Sequence, residues 1–362
     1  MKGKSTSSPA RSGRMWFLRV LLVKGWRWIT AVLAILLVWV ALRDTDWQNI
    51  RHLLARLDST AIAILLLVNV VMLPLMTGRW WLLLRMLKSP VSLATASMYR
   101  LAGNSVSYLT PGPHFGGEPL LVYLLKRCHG HDIPTATVSV LVDRMLELFA
   151  TMVVLLICLV SFSRYDFPIL RNRTTIVLSL SLLILLGTLL YALFSGRRPL
   201  SLMISVVQKI TGQTFPTRNR PENSLAAGLI SAETAVESLY REQPFSLLAA
   251  SAFSAGQWLG IFSEFWIMAA LLGFELSLTQ LCGLVAVARL AFYTPLPAGL
   301  GALELALPYV TGAFGLGSML GMTLCLIIRL RDTTLSLLGL GVAMKYLTCT
   351  EKISIVSDKQ LK

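Results

Sequence analysis

Long uncharged, apolar stretches alternate with short polar segments along most of this chain. Most of the stretches reach or approach the roughly 20 residues with which a helix crosses the hydrocarbon core of a bilayer. They lie at residues 29–42, 59–78, 174–196, 243–263 and 305–328. The strands of a membrane barrel would alternate in polarity, and these stretches do not. The pattern therefore predicts an all-α, polytopic membrane helical bundle.

Two proline- and glycine-rich segments interrupt the apolar pattern. The first, "TPGPHFGGE", covers residues 110–118, and the second, "TPLPAGLGALE", covers residues 294–304. The helices predicted beside them are too short or too polar for confident full crossings, so each segment should join two half-helices into a re-entrant hairpin, over 91–126 and 276–315. Proline ends a half-helix without leaving an amide donor unpaired, and glycine allows a sharp turn. The residues expected to shape the loops are Pro111, Pro113, Gly116, Gly117, Pro295, Pro297, Gly299 and Gly301.

The spans and hairpins together predict six crossings with both termini in the cytoplasm. Three crossings separate the two hairpins, and because this number is odd, the two copies should form inverted repeats. The predicted organisation is a basic cytoplasmic segment (1–25), a first membrane repeat (26–194), a cytoplasmic linker (195–243), a second membrane repeat (244–347) and a cytoplasmic tail (348–362). In the linker, apolar residues three and four apart predict an amphipathic helix on the membrane or the bundle; they are Leu225, Leu229, Ala232, Val236 and Leu239.

Composition supports a membrane protein. The chain is 55% hydrophobic and 14% charged, with a mean hydropathy of +0.68, which is too apolar for a soluble domain. The cysteines show no CxxC pairing and no metal-ligand spacing with histidine, so we expect small core residues, no metal site and no cofactor. They are Cys128, Cys158, Cys282, Cys325 and Cys349.

Charge predicts the orientation and the partner. No acidic residue precedes Asp44, whereas basic residues crowd the N-terminus; they are Lys2, Lys4, Arg11, Arg14, Arg19, Lys24 and Arg27. The positive-inside rule then places the N-terminus in the cytoplasm, and Arg79, Arg85 and Lys88 read as the cytoplasmic flank of the second span. The net charge of +15 favours anionic lipid headgroups over nucleic acid, because the basic residues cluster beside the spans.

Charged residues recur with the two loops. Glu118 is followed 26 residues later by Arg144, and Glu304 is followed 25 residues later by Arg329. In each copy an acid stands three positions after the arginine, which places both charges on one helical face, and another arginine precedes the loop. Charges at membrane depth should face one another or a substrate. The candidate substrate-binding residues are Arg100, Asn104, Glu118, Arg144, Glu147, Arg289, Glu304, Arg329 and Asp332.

Structural roles are open for the same residues. Glu118 and Glu304 could accept amide hydrogen bonds at the N-termini of half-helices, and the two arginines could simply pair with Glu147 and Asp332. His114 is a weak candidate for a general base, because the second copy has alanine at the matching position. If both glutamates line one cavity, neutralising either should impair transport without unfolding the protein.

The sequence also resembles a known family. The patterns "GNSVSYLTPGPHFGGEPLLVYLLKR", "VLVDRMLELFA" and "RLAFYTPLPAGLGALELAL" resemble the lysylphosphatidylglycerol synthase transmembrane region, a flippase-like family, over roughly residues 25–347. The resemblance implies a domain that moves a lipid between leaflets. The soluble aminoacyl-transferase domain of the full synthases has no counterpart up to Lys362, so synthase activity is not implied.

The leading hypothesis is therefore a non-enzymatic lipid translocase of the bacterial inner membrane, acting on a polar-headed or anionic lipid. One alternative is an intramembrane enzyme acting on a lipid-linked substrate, with Glu118 or His114 as acid or base. Another is a non-transporting partner of an enzyme of envelope-lipid synthesis. The sequence does not identify the lipid or the oligomeric state.

Overall fold

The computed structural model describes residues 35–40, 42–43, 47–55, 57–110, 116–161, 244–294 and 296–360, and the single positions 177, 180, 181, 184, 187 and 188. Regular structure in this part of the chain is entirely helical. The helices are α1 (Trp47–Leu54), α2 (Ser59–Met86), α3 (Leu93–Leu109), α4 (Glu118–His129), α5 (Ile133–Ser161), α6 (Pro244–Leu271), α7 (Leu278–Phe292), a 3-10 turn (Pro297–Gly299), α8 (Ala302–Ala313) and α9 (Ser318–Gln360).

The helices come in two runs of the same order, each long, short, short, long. The first run, α2 to α5, has helices of 28, 17, 12 and 29 residues. The second run, α6 to α9, has helices of 28, 15, 12 and 43 residues. The proline- and glycine-rich segments separate the two short helices of each run, where the sequence predicts the breaks.

Side-chain caps define where several helices begin. Asp58 accepts a hydrogen bond from the Ala61 amide at 2.7 Å, and Ser92 accepts one from the Thr95 amide at 3.1 Å. α7 begins with a reciprocal capping box between Ser277 and Gln280. Each such bond satisfies an amide that lacks a partner within its helix, so local sequence fixes these starts.

Two helices of the described chain, α2 and α5, are long and apolar enough to span a bilayer. Leu66, Leu67 and Val70 of α2 are between 62% and 68% exposed, as expected for side chains that face lipid tails. An apolar helix surface of this kind is unfavourable in water. It is consistent with a membrane-embedded bundle.

The two runs pack against each other through closely approaching helices. α2 lies along α6, where a Cβ on Gly78 would overlap the ring of Phe253. α3 lies along α9, where a Cβ on Gly339 would overlap the backbone of Leu101. Glycine at these positions lets helix backbones approach closely, as in many membrane bundles.

One expectation from sequence needs correction. Arg79 is not a cytoplasmic flank, because its side chain is 2% exposed and lies in the interior of the bundle. The last helix continues to Gln360, past the predicted domain boundary at residue 347, and the cytoplasmic location of 348–362 stays a prediction. The N-terminal segment 1–25, the linker 195–243 and the apolar stripe within it lie outside the described residues.

Candidate functional site

Three predicted residues of the first run form one contact group. Glu118 is the first residue of α4, and Arg144 and Glu147 lie on α5. Arg144 Nε lies 2.7 Å from Glu118 Oε1, and Arg144 Nη1 lies 2.7 Å from Glu147 Oε2. The arginine thus bridges a glutamate beside the first loop and the acid three positions along its own helix.

The Glu118 carboxylate has a charged neighbour but no hydrogen bond among the described residues. Within that part of the chain, neither of its oxygens has a hydrogen-bond partner, and the Nε of Arg144 has none either, although the two groups are 2.7 Å apart. The N–H bond is therefore not aligned with the carboxylate, and the contact is an ion pair only. Glu118 keeps its acceptor capacity for another donor.

A buried triad of charges, formed by Asp143, Arg79 and Arg100, lies beside this group, and two of its three members were missed from the sequence. Asp143 is fully buried and accepts hydrogen bonds from Arg79 Nε at 2.7 Å and from Arg100 Nη2 at 2.6 Å. Arg100 also lies over the ring of Trp80, with its Cζ 5.2 Å from the ring centroid. Arg100 was a predicted site residue, whereas Arg79 and Asp143 were not. The signal was present, since Asp143 directly precedes Arg144 in "DRMLE".

The second run has a glutamate–arginine pair with the same closest distance. Arg329 Nε donates to Glu304 Oε1 at 2.7 Å, and Arg329 Nη2 donates to Oε2 at 3.0 Å. Glu304 also accepts the Gly301 amide at 2.7 Å, which caps the start of α8. In contrast to Glu118, this carboxylate is fully engaged with groups of the protein.

Arg329 also holds the second loop directly. Its Nη1 donates to the Ala298 carbonyl at 2.7 Å, and its Nη2 lies 3.0 Å from the Gly299 carbonyl. The loop needs such support because Ala298 has φ +52°, a left-handed conformation that costs energy in a residue with a Cβ. Gly299 and Gly301, at φ +61° and +82°, adopt positive φ without that cost.

Asp332, which the sequence leaves open as a partner of Arg329, pairs with a different arginine. Asp332 pairs with Arg331 at 2.7 Å, and Arg331 also contacts Glu264 of α6. Asn69 of α2 donates to the same Glu264 at 3.3 Å. Arg331 and Glu264 were not predicted as site residues. Each is a charged residue within an apolar stretch of the sequence. Neither takes part in the repeated Glu-to-Arg spacing, which includes Arg329.

The other predicted residues lie near these groups. Arg289 is partly buried in the last turn of α7, with its Cζ 5.2 Å from the ring centroid of Trp258. Asn104 is partly buried on α3. Gly117 donates its amide to Ser107 Oγ at 2.8 Å and has no room for a Cβ against Gly103. A Cβ on Gly116 would overlap the side chain of Thr110. Pro297 begins the 3-10 turn. The other predicted loop residues lie outside the described residues; they are Pro111, Pro113, His114 and Pro295.

Within the described chain, no cluster of three or more histidine, cysteine, aspartate or glutamate side chains could hold a metal ion. Cys158 and Cys325 are buried, and Cys128 and Cys282 are partly buried; all four are free thiols. The charged groups can instead bind by ion pairing and hydrogen bonding. The arrangement offers arginine donors for an anion and one carboxylate with unused acceptor capacity.

Comparison with known proteins gives one match. The family described as the lysylphosphatidylglycerol synthase TM region matches residues 18–339. The match includes both helix runs except the end of α9, and it contains every charged residue of the candidate site. No curated protein and no solved structure matches the chain.

Proposed function

The chain belongs to the lysylphosphatidylglycerol synthase transmembrane-region family, and from this premise we propose that it moves a polar-headed or anionic lipid between the leaflets of a membrane. In this proposal the lipid crosses without chemical change, so the protein is a translocase rather than an enzyme. The membrane is the bacterial inner membrane, with both termini in the cytoplasm.

The observation that carries the proposal is the pair of interior glutamate–arginine contacts beside the two broken helix pairs. Glu118–Arg144 and Glu304–Arg329 have the same closest distance of 2.7 Å and join equivalent helices of the two runs. A charge at membrane depth costs several kcal/mol or more unless it is paired or faces a polar cavity. Such groups beside broken helices are typical of transporter binding sites.

The duplicated helix order supports an inverted-repeat architecture. We propose that the α3–α4 and α7–α8 pairs are re-entrant hairpins that enter from opposite faces of the membrane. Irregular backbone at membrane depth is tolerated where it packs in protein or lines a water-filled cavity. Two such hairpins related by inversion would form a central site that can open toward either side.

We propose different roles for the two glutamates. Glu304 and Arg329 hold the second loop in one conformation through bonds to the loop backbone. In the part of the chain that the structure describes, the Glu118 carboxylate accepts no hydrogen bond, so it can accept one from a hydroxyl or ammonium group of a headgroup. In our proposal the second loop keeps one conformation, whereas Glu118 binds the lipid headgroup and releases it during transport.

Reconstitution into liposomes tests the function. A phosphatidylglycerol with a fluorescent acyl chain is placed in both leaflets, and a membrane-impermeant quencher is added outside. We expect quenching beyond the outer-leaflet fraction in vesicles that contain the protein and not in protein-free vesicles. Mass spectrometry of the recovered lipid should show it unchanged. A converted lipid would identify an enzyme, and absence of both effects would favour a non-transporting partner of another enzyme.

A further inference from the structure

Arg289 differs from the other interior arginines that the structure describes. Arg79, Arg100, Arg144, Arg329 and Arg331 each make ion pairs with carboxylates. Within the described chain, Arg289 makes neither an ion pair nor a side-chain hydrogen bond, and its contact is with the face of Trp258. A guanidinium carries five N–H donors, and a cation–π contact leaves them available.

Two carboxylates attract Arg289 electrostatically but make no ion pair with it in the described chain; they are Glu147 and Glu264. However, Glu147 is held by Arg144 at 2.7 Å, and Glu264 contacts Arg331. Burying a cation without hydrogen bonds is costly, so a partly buried arginine of this kind is suited to a partner from outside the protein.

The position of Arg289 is that of a binding residue between the two helix runs. It lies in the last turn of α7, five residues before Thr294 begins the second loop. Trp258 belongs to α6 of the second run, and Tyr293, which directly follows α7, donates to Thr151 of α5 in the first run at 3.4 Å. An anion at Arg289 would therefore adjoin both runs and the second broken helix pair.

We propose that Arg289 binds the phosphate oxyanion of the transported lipid. The inference rests on the proposed function and adds to it the chemical class of the headgroup. A planar guanidinium matches two phosphate oxygens through parallel N–H donors, which makes arginine a preferred residue for phosphate. Contact with Trp258 limits the motion of the side chain, so less entropy is lost when the anion binds.

The test measures lipid binding to the full chain in detergent by native mass spectrometry. The probes are phosphatidylglycerol and diacylglycerol with the same acyl chains, which differ by the phosphate headgroup. We expect saturable binding of phosphatidylglycerol to the wild type, and affinity about tenfold lower in R289Q and R289M. Diacylglycerol should bind weakly and equally to all three proteins. R85Q is the matched control, because Arg85 lies over Trp81 at 4.0 Å but is exposed at the end of α2; its affinity should equal that of the wild type.

The outcomes separate the alternatives. Unchanged phosphatidylglycerol affinity in R289Q and R289M would overturn the proposal, as would equal binding of diacylglycerol. Unfolding of both variants would also overturn it, because a cation without a partner in the protein should be dispensable for folding. Competition by millimolar inorganic phosphate would indicate a site for free phosphate rather than a lipid headgroup. If lipid moves in liposomes but Arg289 has no effect, the translocase proposal stands and only the phosphate site fails.

Discussion

Glu304 accepts hydrogen bonds from the Gly301 amide and from Arg329, whereas neither oxygen of Glu118 accepts one from any residue that the structure describes. Glu118 and Glu304 each end a similar loop and each pair with an arginine. The same substitution at both positions can therefore compare their roles. Glutamine keeps the shape of the side chain and removes the charge. At the residue scale, hydrogen bonds to the protein decide whether a glutamate is structural or available to a ligand.

E304Q should lower stability, and E118Q should lower transport. In E304Q, one acceptor of the Arg329 pair becomes an amide donor and the cap of α8 weakens, so we expect a loss of roughly 1–3 kcal/mol. In E118Q, no hydrogen bond is lost, and unfolding should stay near that of the wild type while lipid transport falls. Thermal unfolding in detergent and quenching in liposomes measure the two effects. Equal effects of the two substitutions on both measurements would contradict the division of roles.

D143N should be among the most destabilising single substitutions in the first run. Asp143 is fully buried and neutralises Arg79 and Arg100, which are 2% and 3% exposed. Asparagine would replace the carboxylate between the two cations with a neutral amide and leave Glu147, 3.4 Å from Arg79, as the remaining carboxylate partner, so we expect a cost of about 3–5 kcal/mol. Thermal unfolding in detergent checks the loss, with D132N as the surface control because Asp132 is exposed beside the start of α5. Wild-type stability of D143N would show that the triad is dispensable.

At the element scale, close helix contacts depend on single glycines. α9 packs on α3 at Gly339, next to the Leu101 carbonyl and Ser105 Oγ, whereas a Cβ on Gly341 would meet open space. The two glycines lie two positions apart on the same helix. Their substitution therefore separates packing from helix propensity.

G339A should destabilise the bundle by about 1–3 kcal/mol, because the new methyl group must displace helix backbone. G341A should be neutral or stabilise the protein by up to about 1 kcal/mol through the higher helix propensity of alanine. Unfolding temperatures of the two variants under the same conditions test the pair. A loss in G341A that equals the loss in G339A would show that helix flexibility, and not packing, is what both glycines provide.

At the scale of the whole molecule, inversion of the two runs has a direct consequence for topology. Lys88 follows α2 and Glu275 follows α6, the equivalent helix of the second run, and both residues are exposed. Inverted repeats place equivalent connections on opposite faces of the membrane.

K88C and E275C, each in a background without the native cysteines, should therefore label differently. In intact cells a membrane-impermeant maleimide should modify E275C and leave K88C unmodified until the membrane is opened. Both proteins should label in detergent, which controls for exposure. Labelling of both sites from one side would exclude the inverted arrangement and leave two parallel runs.

Sequence alone determined the helical membrane class, the family and the positions of the two breaks. These features follow from local chemistry: apolar length specifies a span, and proline with glycine ends a helix wherever it falls. It also singled out Glu118, Arg144, Glu304 and Arg329 as candidate residues, because the spacing of 26 and 25 residues recurs in the sequence, but it left their pairing open. The cap at Asp58 and the capping box at Ser277, which the structure shows, likewise depend only on residues within one turn of the start of each helix.

Only the tertiary structure decided which charges pair and which remain available. Asp143 pairs with Arg79, which lies on another helix 64 positions away in sequence, and Asp332 pairs with Arg331 rather than Arg329. Likewise, Glu118 and Glu304 look equivalent in sequence but differ in hydrogen bonding. The physical reason is that ion pairs and hydrogen bonds act over a few ångströms and require alignment. Helix packing sets those distances, and spacing along the chain does not.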